Sequence, residues 1–335
     1  MMQAAVIHAP GPAACLSIEQ VEIPSIQDHQ VLVKVETSAV NPIDTYLRSG
    51  VVAADLPDPW IPGCDFAGII TECGAAVTNF SVGQKVWGSN QGLFGNQGTL
   101  AEFVAVDEQW LYHRPDHVSA EICAATSLTG ITAHLGLFQH AKLRATETVF
   151  VNGGTGGVGS MVVQLAKSVG AKVITTARSD QKCQLASQLG ADLAINYRPQ
   201  DVAAAIESKG NEIDVWFETL RNPNPTVTIP LMARKGRYVV MAGRDAQPEF
   251  PIGPFYVKNL SMLGFAMFNA TAEEQRTCAN DINRLLANGQ LKPIIGATFS
   301  LQEAAQAHQL QEDATLTSLA TFSGKIVVKI GDTAD

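Results

Sequence analysis

The sequence has no CxxC pair, no histidines grouped at ligand spacing, and no apolar run of the about 18 residues needed for a membrane helix. Its six cysteines, Cys15, Cys64, Cys73, Cys123, Cys183 and Cys278, lie far apart. Scattered thiols in a chain this long argue against a disulfide framework. The opening MMQAAVIHAPGPAACL has no basic segment followed by an apolar stretch, so it does not read as a secretory signal. The expected location is the cytoplasm. Basic residues are outnumbered, 23 Lys+Arg against 32 Asp+Glu, for a net charge of −9. That balance excludes the basic face a nucleic-acid partner requires, though it leaves room for a local phosphate pocket.

What is present is globular: 46% hydrophobic and 16% charged residues in 335, a length that favours two domains. Residues 1–120 read as mostly β. In DHQVLVKVETSAV (28–40), Val31, Val33, Val35, Thr37 and Ala39 fall on one face and Lys34, Glu36 and Ser38 on the other. A period of two predicts a strand with one wet face. FAGIITECG, VGQKVWG and GTLAEFVAVD are shorter strand-like runs cut by glycines. NPIDTYLRSG (41–50) predicts a short helix, with Asn41 as cap, Pro42 at its first position and Gly50 at its end.

From about 120 to 265 the pattern changes to apolar strands alternating with amphipathic helices. TVFVNG, KVITTA, AINY, DVWFE, RYVVMAG and LSMLGF are the strands. Val158, Val162, Leu165, Ala166 and Val169 line one face of the first helix, which Gly170 stops. Six such strands predict a parallel sheet covered on both faces, in the doubly wound order 3-2-1-4-5-6. A helix near 272–288 and a strand at 323–330, returning to the first domain, complete the chain. The expected domains are 1–122 with 266–335, and 123–265.

NGGTGGVG (152–159) follows a strand and opens a helix, the context in which G-x-G-x-x-G binds a dinucleotide. Gly154 is read as the turn, Gly156 as the point of close approach to a pyrophosphate, and Gly159 as the helix–sheet contact. The phosphates then meet the free N–H groups and positive dipole of the helix start. Where an NAD site carries a carboxylate, TTARSD carries Arg178, 24 positions after Gly154. An arginine there attracts a 2′-phosphate, so NADPH is the expected cofactor. Asp180 is read as a cap for the next helix, and Tyr197 and Arg198 as a second wall at the adenine end.

A catalytic zinc needs three protein ligands and an open position. VNPIDTYLRSG has no cysteine, PGCDFAG offers Cys64 and Asp65, and no four-cysteine lobe exists. Cys64 is read as a small buried residue and the chemistry as metal-free.

DHQVLVKV, VNPIDTYLRSG, PGCDFAG, NGGTGGVG, AINYR and SGKIVVKI, in this order along nearly the whole chain, resemble the zinc-free NADPH:quinone oxidoreductases, zeta-crystallin-like members of the medium-chain dehydrogenase/reductase superfamily. The resemblance implies a GroES-like β-rich catalytic domain, a Rossmann domain, a cleft between them, and a homodimer or dimer of dimers joined partly through residues near 255–268. It implies that Thr155, Gly156, Gly157 and Val158 cradle the pyrophosphate and that Arg178 and Tyr197 flank the 2′-phosphate. Met241, Ala242, Gly243 and Arg244, with Phe265, Ala266 and Met267, would line the nicotinamide half. Asn222 and Lys325 are further cofactor candidates. Asn41, Tyr46 and Thr132 would lie near nicotinamide and substrate. Where family members often carry a tyrosine just past RSG, this chain has Val51 and Val52.

Without zinc, charge developing on the acceptor oxygen must meet hydrogen-bond donors, and Tyr46 and Asn41 are the candidates. Three functions remain open: quinone reduction, reduction of the activated double bond of an enal or enone, and a crystallin-like structural role that retains NADPH binding. The partner is a small molecule, with no nucleic acid and no membrane.

Overall fold

The computed structural model describes residues 1–210, 212–317 and 322–331. The chain forms two compact units, residues 1–128 with 279–335, and residues 129–278. Their limits fall inside the helices Ala120–His134 and Ala272–Ala287, away from the composition changes at 122/123 and 265/266. An uninterrupted helical pattern gives no sequence mark of such a limit.

Among the described residues of the first unit, a seven-stranded sheet has Gln30–Val40 at its centre. That strand pairs antiparallel with Asp65–Cys73, Phe103–Asp107 and the late strand Lys325–Lys329, which also pairs in parallel with Ile295–Ser300. Lys85–Gly88 and Leu111–His113 extend the far side. Val33, Phe66, Val86, Leu100 and Ile326 pack in its core. The wet face of Gln30–Val40 ends at Glu36. Ser38 is buried, because its hydroxyl bonds the Asp65 carbonyl (3.0 Å) and Thr99 Oγ1 (2.7 Å). A period-two pattern counts Ser as polar and cannot register a serine satisfied inside.

The second unit is a parallel six-stranded sheet in spatial order Leu193–Asn196, Lys172–Ala177, Thr148–Asn152, Ile213–Glu218, Met232–Val240, Ser261–Gly264. Numbered along the chain, this is 3-2-1-4-5-6. Phe150 and Trp216, on adjacent central strands, stack with centroids 3.9 Å apart. Helix Gly157–Ser168 is buried over its whole 159–166 stretch, while Val169 is exposed. The expected single apolar face understates that cover. The sheet is not covered throughout either: edge strand Ser261–Gly264 exposes Ser261, Met262 and Gly264.

Candidate functional site

In a parallel sheet, all strands deliver their carboxyl ends to one edge, and ligands bind outside that edge where the strand order reverses. Here the reversal lies between Thr148–Asn152 and Ile213–Glu218. The loop 153–156 leaves the first of these strands and enters helix Gly157–Ser168. Its turn residue is Gly153, at φ +88°, and not Gly154. Gly154 is required for a different reason: a Cβ there would lie 2.1 Å from Thr175 Oγ1. At Gly159 a Cβ would lie 2.1 Å from the Gly153 carbonyl, so helix and loop close on each other. The first helical hydrogen bond runs from Ser160 N to Gly156 O at 3.0 Å. The N–H groups of Gly157, Val158 and Gly159 therefore have no acceptor within the helix, the arrangement that lets a helix start receive an anion.

The other expected cofactor residues of this unit also follow strand ends. Arg178 comes one residue after Ala177, Tyr197 one after Asn196, Met241–Arg244 directly after Val240, and Phe265–Met267 directly after Gly264. Asn222 lies exposed in the loop beyond Glu218. Phe265 stacks on His140 at 4.6 Å, and Met267 is buried, so Met267 offers its backbone and not its side chain. Thr132 is buried on Ala120–His134. The helix after Arg178 is capped by Ser179, whose Oγ accepts from Lys182 N at 3.3 Å. Asp180 is not the cap. It accepts from Asn196 Nδ2 at 2.6 Å, which ties the second and third strand ends together. Lys182 was not singled out from sequence. Burial, and then the charge of Arg178 nearby, lowers its pKa, so two cations stand close at this strand end. A lysine four positions past an arginine, across a helix start, is the signal that would have found it.

In the first unit a buried polar cluster surrounds Asp65. Its Oδ1 accepts from Ser89 Oγ (2.7 Å) and Leu128 N (3.1 Å), and its Oδ2 from Asn41 Nδ2 (2.9 Å) and Lys325 Nζ (3.4 Å). Lys325 also donates to the Val40 carbonyl (2.8 Å) and to Asn41 Oδ1. All three directions of its ammonium are used inside the cluster, which removes Lys325 as a cofactor contact. Asn41 is buried as well: its amide oxygen accepts from Lys325, and its NH2 donates to Asp65 Oδ2 and, at 3.5 Å, to the Ala39 carbonyl, so its side chain is turned into the cluster. What it does is start helix Pro42–Ser49, where its backbone N donates to Asp44 Oδ2 at 2.7 Å. Tyr46, on the same helix, is half-buried.

Cys64 donates from Sγ to Asp44 Oδ1 at 3.0 Å, and burial beside two carboxyls pushes its thiol well up. A catalytic zinc takes three protein ligands and an open position, and a thiol committed to Asp44 beside a lysine ammonium does not make up that set. Among the described residues, no group of three or more His, Cys, Asp or Glu side chains is placed to hold a metal ion.

Comparison with known proteins agrees with both units. Residues 27–116 match the alcohol dehydrogenase GroES-like domain and residues 157–285 the zinc-binding dehydrogenase domain. Quinone oxidoreductase of Rattus norvegicus is 33% identical over 302 residues, covering 89% of this chain and 90% of that protein. The chain belongs to the medium-chain dehydrogenase/reductase family, with the zeta-crystallin-like quinone oxidoreductases. An NADPH-dependent alkenal/one oxidoreductase of Arabidopsis thaliana, chloroplastic, is 32% identical, covering 98% of this chain and 79% of that protein. The solved structure of mycobacterial Rv1454c complexed with NADPH superposes with a TM-score of 0.83 at 25% identity, over 98% of this chain and all of that one. Membership makes the chain an oxidoreductase with a GroES-like unit and a Rossmann unit. The zinc-binding dehydrogenase domain is named for that metal, yet Cys64, Asp44 and Lys325 of this chain do not make up a three-ligand site for it.

The cluster has a measurable titration. Burial pushes Asp44 up to about 6 from its ordinary 3.8, against hydrogen bonds from Cys64 and the Asn41 backbone. Between these values the folded chain holds a proton that the unfolded chain has released. Stability from this group therefore falls as pH rises from about 4 to about 6, by about 3 kcal/mol in all. Asp44→Asn, which cannot titrate, is expected to lose this slope. Urea unfolding of both proteins at pH 4.5 and 7 measures it, and a pH-independent difference between them would exclude this titration.

Proposed function

We propose that the chain is an NADPH-dependent, metal-independent reductase of quinones. The observation that carries this reading is the strand-end pair of cations, Arg178 and Lys182, beside the glycine loop's anion-binding terminus. The free N–H groups of Gly157–Gly159 suit a pyrophosphate, and Arg178 with Lys182 suits a 2′-phosphate, where a carboxylate would repel it. Tyr197 walls the adenine end. Met241–Arg244 and the backbone of Phe265–Met267 line the nicotinamide half. Bound here, reduced nicotinamide supplies the hydride.

The chain's own residues supply placement and charge stabilisation. Tyr46 donates its phenolic hydrogen bond to the acceptor oxygen, where negative charge develops. Asn41, held by Asp65 and Lys325, positions the helix that carries Tyr46. Reduction of enals and enones is the second reading. It is favoured by the Arabidopsis relative and by Val51 and Val52, which stand where the quinone reductases often carry a tyrosine. Six free thiols fit a reducing, cytoplasmic setting.

A homodimer is part of the proposal. Among the described residues, strand Ser261–Gly264 pairs on one side alone. Beside it Tyr256 and Met262 are 67% and 46% exposed. An unpaired edge with apolar neighbours is a template for a second strand, and a second copy of this chain supplies one.

Three measurements test these statements. Arg178→Ala is expected to weaken NADPH by about 1.5–3 kcal/mol and leave NADH nearly unchanged, by fluorescence titration. Equal affinity of the parent for both cofactors would refute the 2′-phosphate site. Tyr46→Phe should lower kcat for an enone by about 10²-fold and for a quinone far less, in assays run with EDTA or phenanthroline throughout. Full kcat on both substrates makes Tyr46 a packing residue, and loss of parent activity to the chelators, restored by zinc, ends the metal-free reading. Met262→Lys should convert a dimer to monomers in sedimentation velocity, and a dimer that survives the substitution lies elsewhere on the surface.

A further inference from the structure

Strand Ile213–Glu218 ends in a fully buried carboxyl group at the point where the sheet's strand order reverses. Every donor that reaches it is neutral. Glu218 Oε1 accepts from Asn152 Nδ2 (3.0 Å) and Leu220 N (3.0 Å), and Oε2 from Asn152 Nδ2 (3.1 Å) and Trp216 Nε1 (3.3 Å). Asn152 is its partner in register and the last residue before the glycine loop. On its other side, Asn152 Oδ1 accepts from Thr176 Oγ1 at 2.8 Å, and Thr176 Oγ1 accepts from Gly153 N at 3.0 Å.

This chain of bonds has one direction. A carboxylate accepts and cannot donate, so Asn152 must turn its NH2 toward Glu218 and its carbonyl toward Thr176. The Thr176 hydroxyl then spends its hydrogen on Asn152, and its lone pairs are turned toward Gly153 N–H. Gly153 is the turn residue, and its carbonyl in turn accepts from Gly156 N at 3.1 Å. The orientation of a buried acid is thus passed across three strands to the backbone that leads into the anion-binding terminus.

We propose that Glu218 is a positioning residue for the bound dinucleotide, acting through Asn152 and Thr176 to hold the Gly153 turn. The inference rests on the reading of the glycine loop as a pyrophosphate site. A glutamine at 218 offers an NH2 as well as an oxygen. Asn152 can then turn round and present its own NH2 to Thr176, which frees the hydroxyl hydrogen and removes the bond that fixes the direction of the Thr176 lone pairs toward Gly153 N–H. Burial raises the pKa of Glu218, and the hydrogen bonds from Asn152, Leu220 N and Trp216 act against that rise in favour of the carboxylate. A buried carboxyl among neutral donors adds less to stability than an apolar residue of similar volume would. Directional control of a neighbouring loop is the role that fits it.

The pyrophosphate is common to NADPH and NADH, so the effect must be equal for both. Glu218→Gln is expected to weaken each by about tenfold in fluorescence titration, with their ratio and the saturated kcat near those of the parent. Asn152→Asp alone sets two carboxyls face to face and should bind more weakly still. The double variant Glu218→Gln/Asn152→Asp restores the direction, because the amide introduced at 218 donates to the carboxylate introduced at 152, which in turn accepts from Thr176. It should return to within about threefold of the parent, a rescue that a packing role does not give. Thr176→Val, which loses the link, and Thr176→Ser, which keeps it, repeat the comparison should the acid variants fail to fold. Unchanged binding in Glu218→Gln, a double variant no better than the singles, or equal binding in the two Thr176 variants overturns the inference. A parent protein that binds neither dinucleotide overturns the proposed function and this inference with it.

Discussion

The first unit depends on the four hydrogen bonds that meet at Asp65. A carboxylate with no solvent contact costs several kcal/mol unless its lone pairs are filled and its charge is opposed. Here Ser89, Leu128 N, Asn41 and Lys325 fill it, and Lys325 opposes it. Those groups come from segments that are remote in sequence. Lys325 arrives from 285 residues beyond Val40, on a strand that slots beside Gln30–Val40. The requirement to satisfy Asp65 therefore brings the late strand, the start of helix Pro42–Ser49 and the strand Asp65–Cys73 to one point. Tyr46 inherits its place from that convergence, since it sits one turn along the helix that Asn41 begins.

The second unit reaches order by another route. Its sheet is parallel, so six loops emerge along one edge whatever the side chains are. What remains to be specified is the path of the backbone within those loops. Two devices set it. Close contacts exclude any side chain at Gly154 and Gly159, and hydrogen bonds that Thr176 accepts from Gly153 N and Asp180 accepts from Asn196 Nδ2 lash neighbouring loops together. Contact exclusion needs only the absence of a Cβ, whereas the lashings need particular polar groups facing particular ways. The same unit thus shows its ligand edge through glycines and holds it through Thr, Asn, Asp and Glu.

That difference explains what could be read from the sequence. Strand Thr148–Asn152, helix Gly157–Ser168 and the strand order were legible because periodicity and glycine spacing are local signals. The place of Arg178 at a strand end was legible because the motif counts outward from the glycines, whereas Met241–Arg244 and Phe265–Met267 came from the family resemblance. The partners of polar residues were not. Ser38 scored as a wet-face residue, Asp180 as a cap and Lys325 as a cofactor contact, yet each is committed to a partner 16 or more positions away. Asn41 was half legible: its helix-starting role follows from its neighbours, while its bonds to Asp65 and Lys325 follow from tertiary structure alone. The turn glycine shifted by one, from Gly154 to Gly153, because a G-G pair does not say which member takes positive φ.

The physics also bears on which acceptor is reduced. The chain is about as similar to a quinone oxidoreductase, at 33%, as to an alkenal/one oxidoreductase, at 32%. Overall identity therefore measures the shared framework and is blind to the acceptor. The buried groups have little freedom to change, since removing Lys325 or Asn41 strands Asp65, and adding a side chain at Gly154 collides with Thr175. Beyond the end of helix Pro42–Ser49, Val51 is exposed and Val52 half-buried, and neither side chain carries a polar group that must be satisfied. An apolar pair at 51 and 52 offers area and no hydrogen bond. The start of helix Pro42–Ser49 is thus held by Asp65 through Asn41, while the residues just beyond its other end, Val51 and Val52, carry no polar obligation.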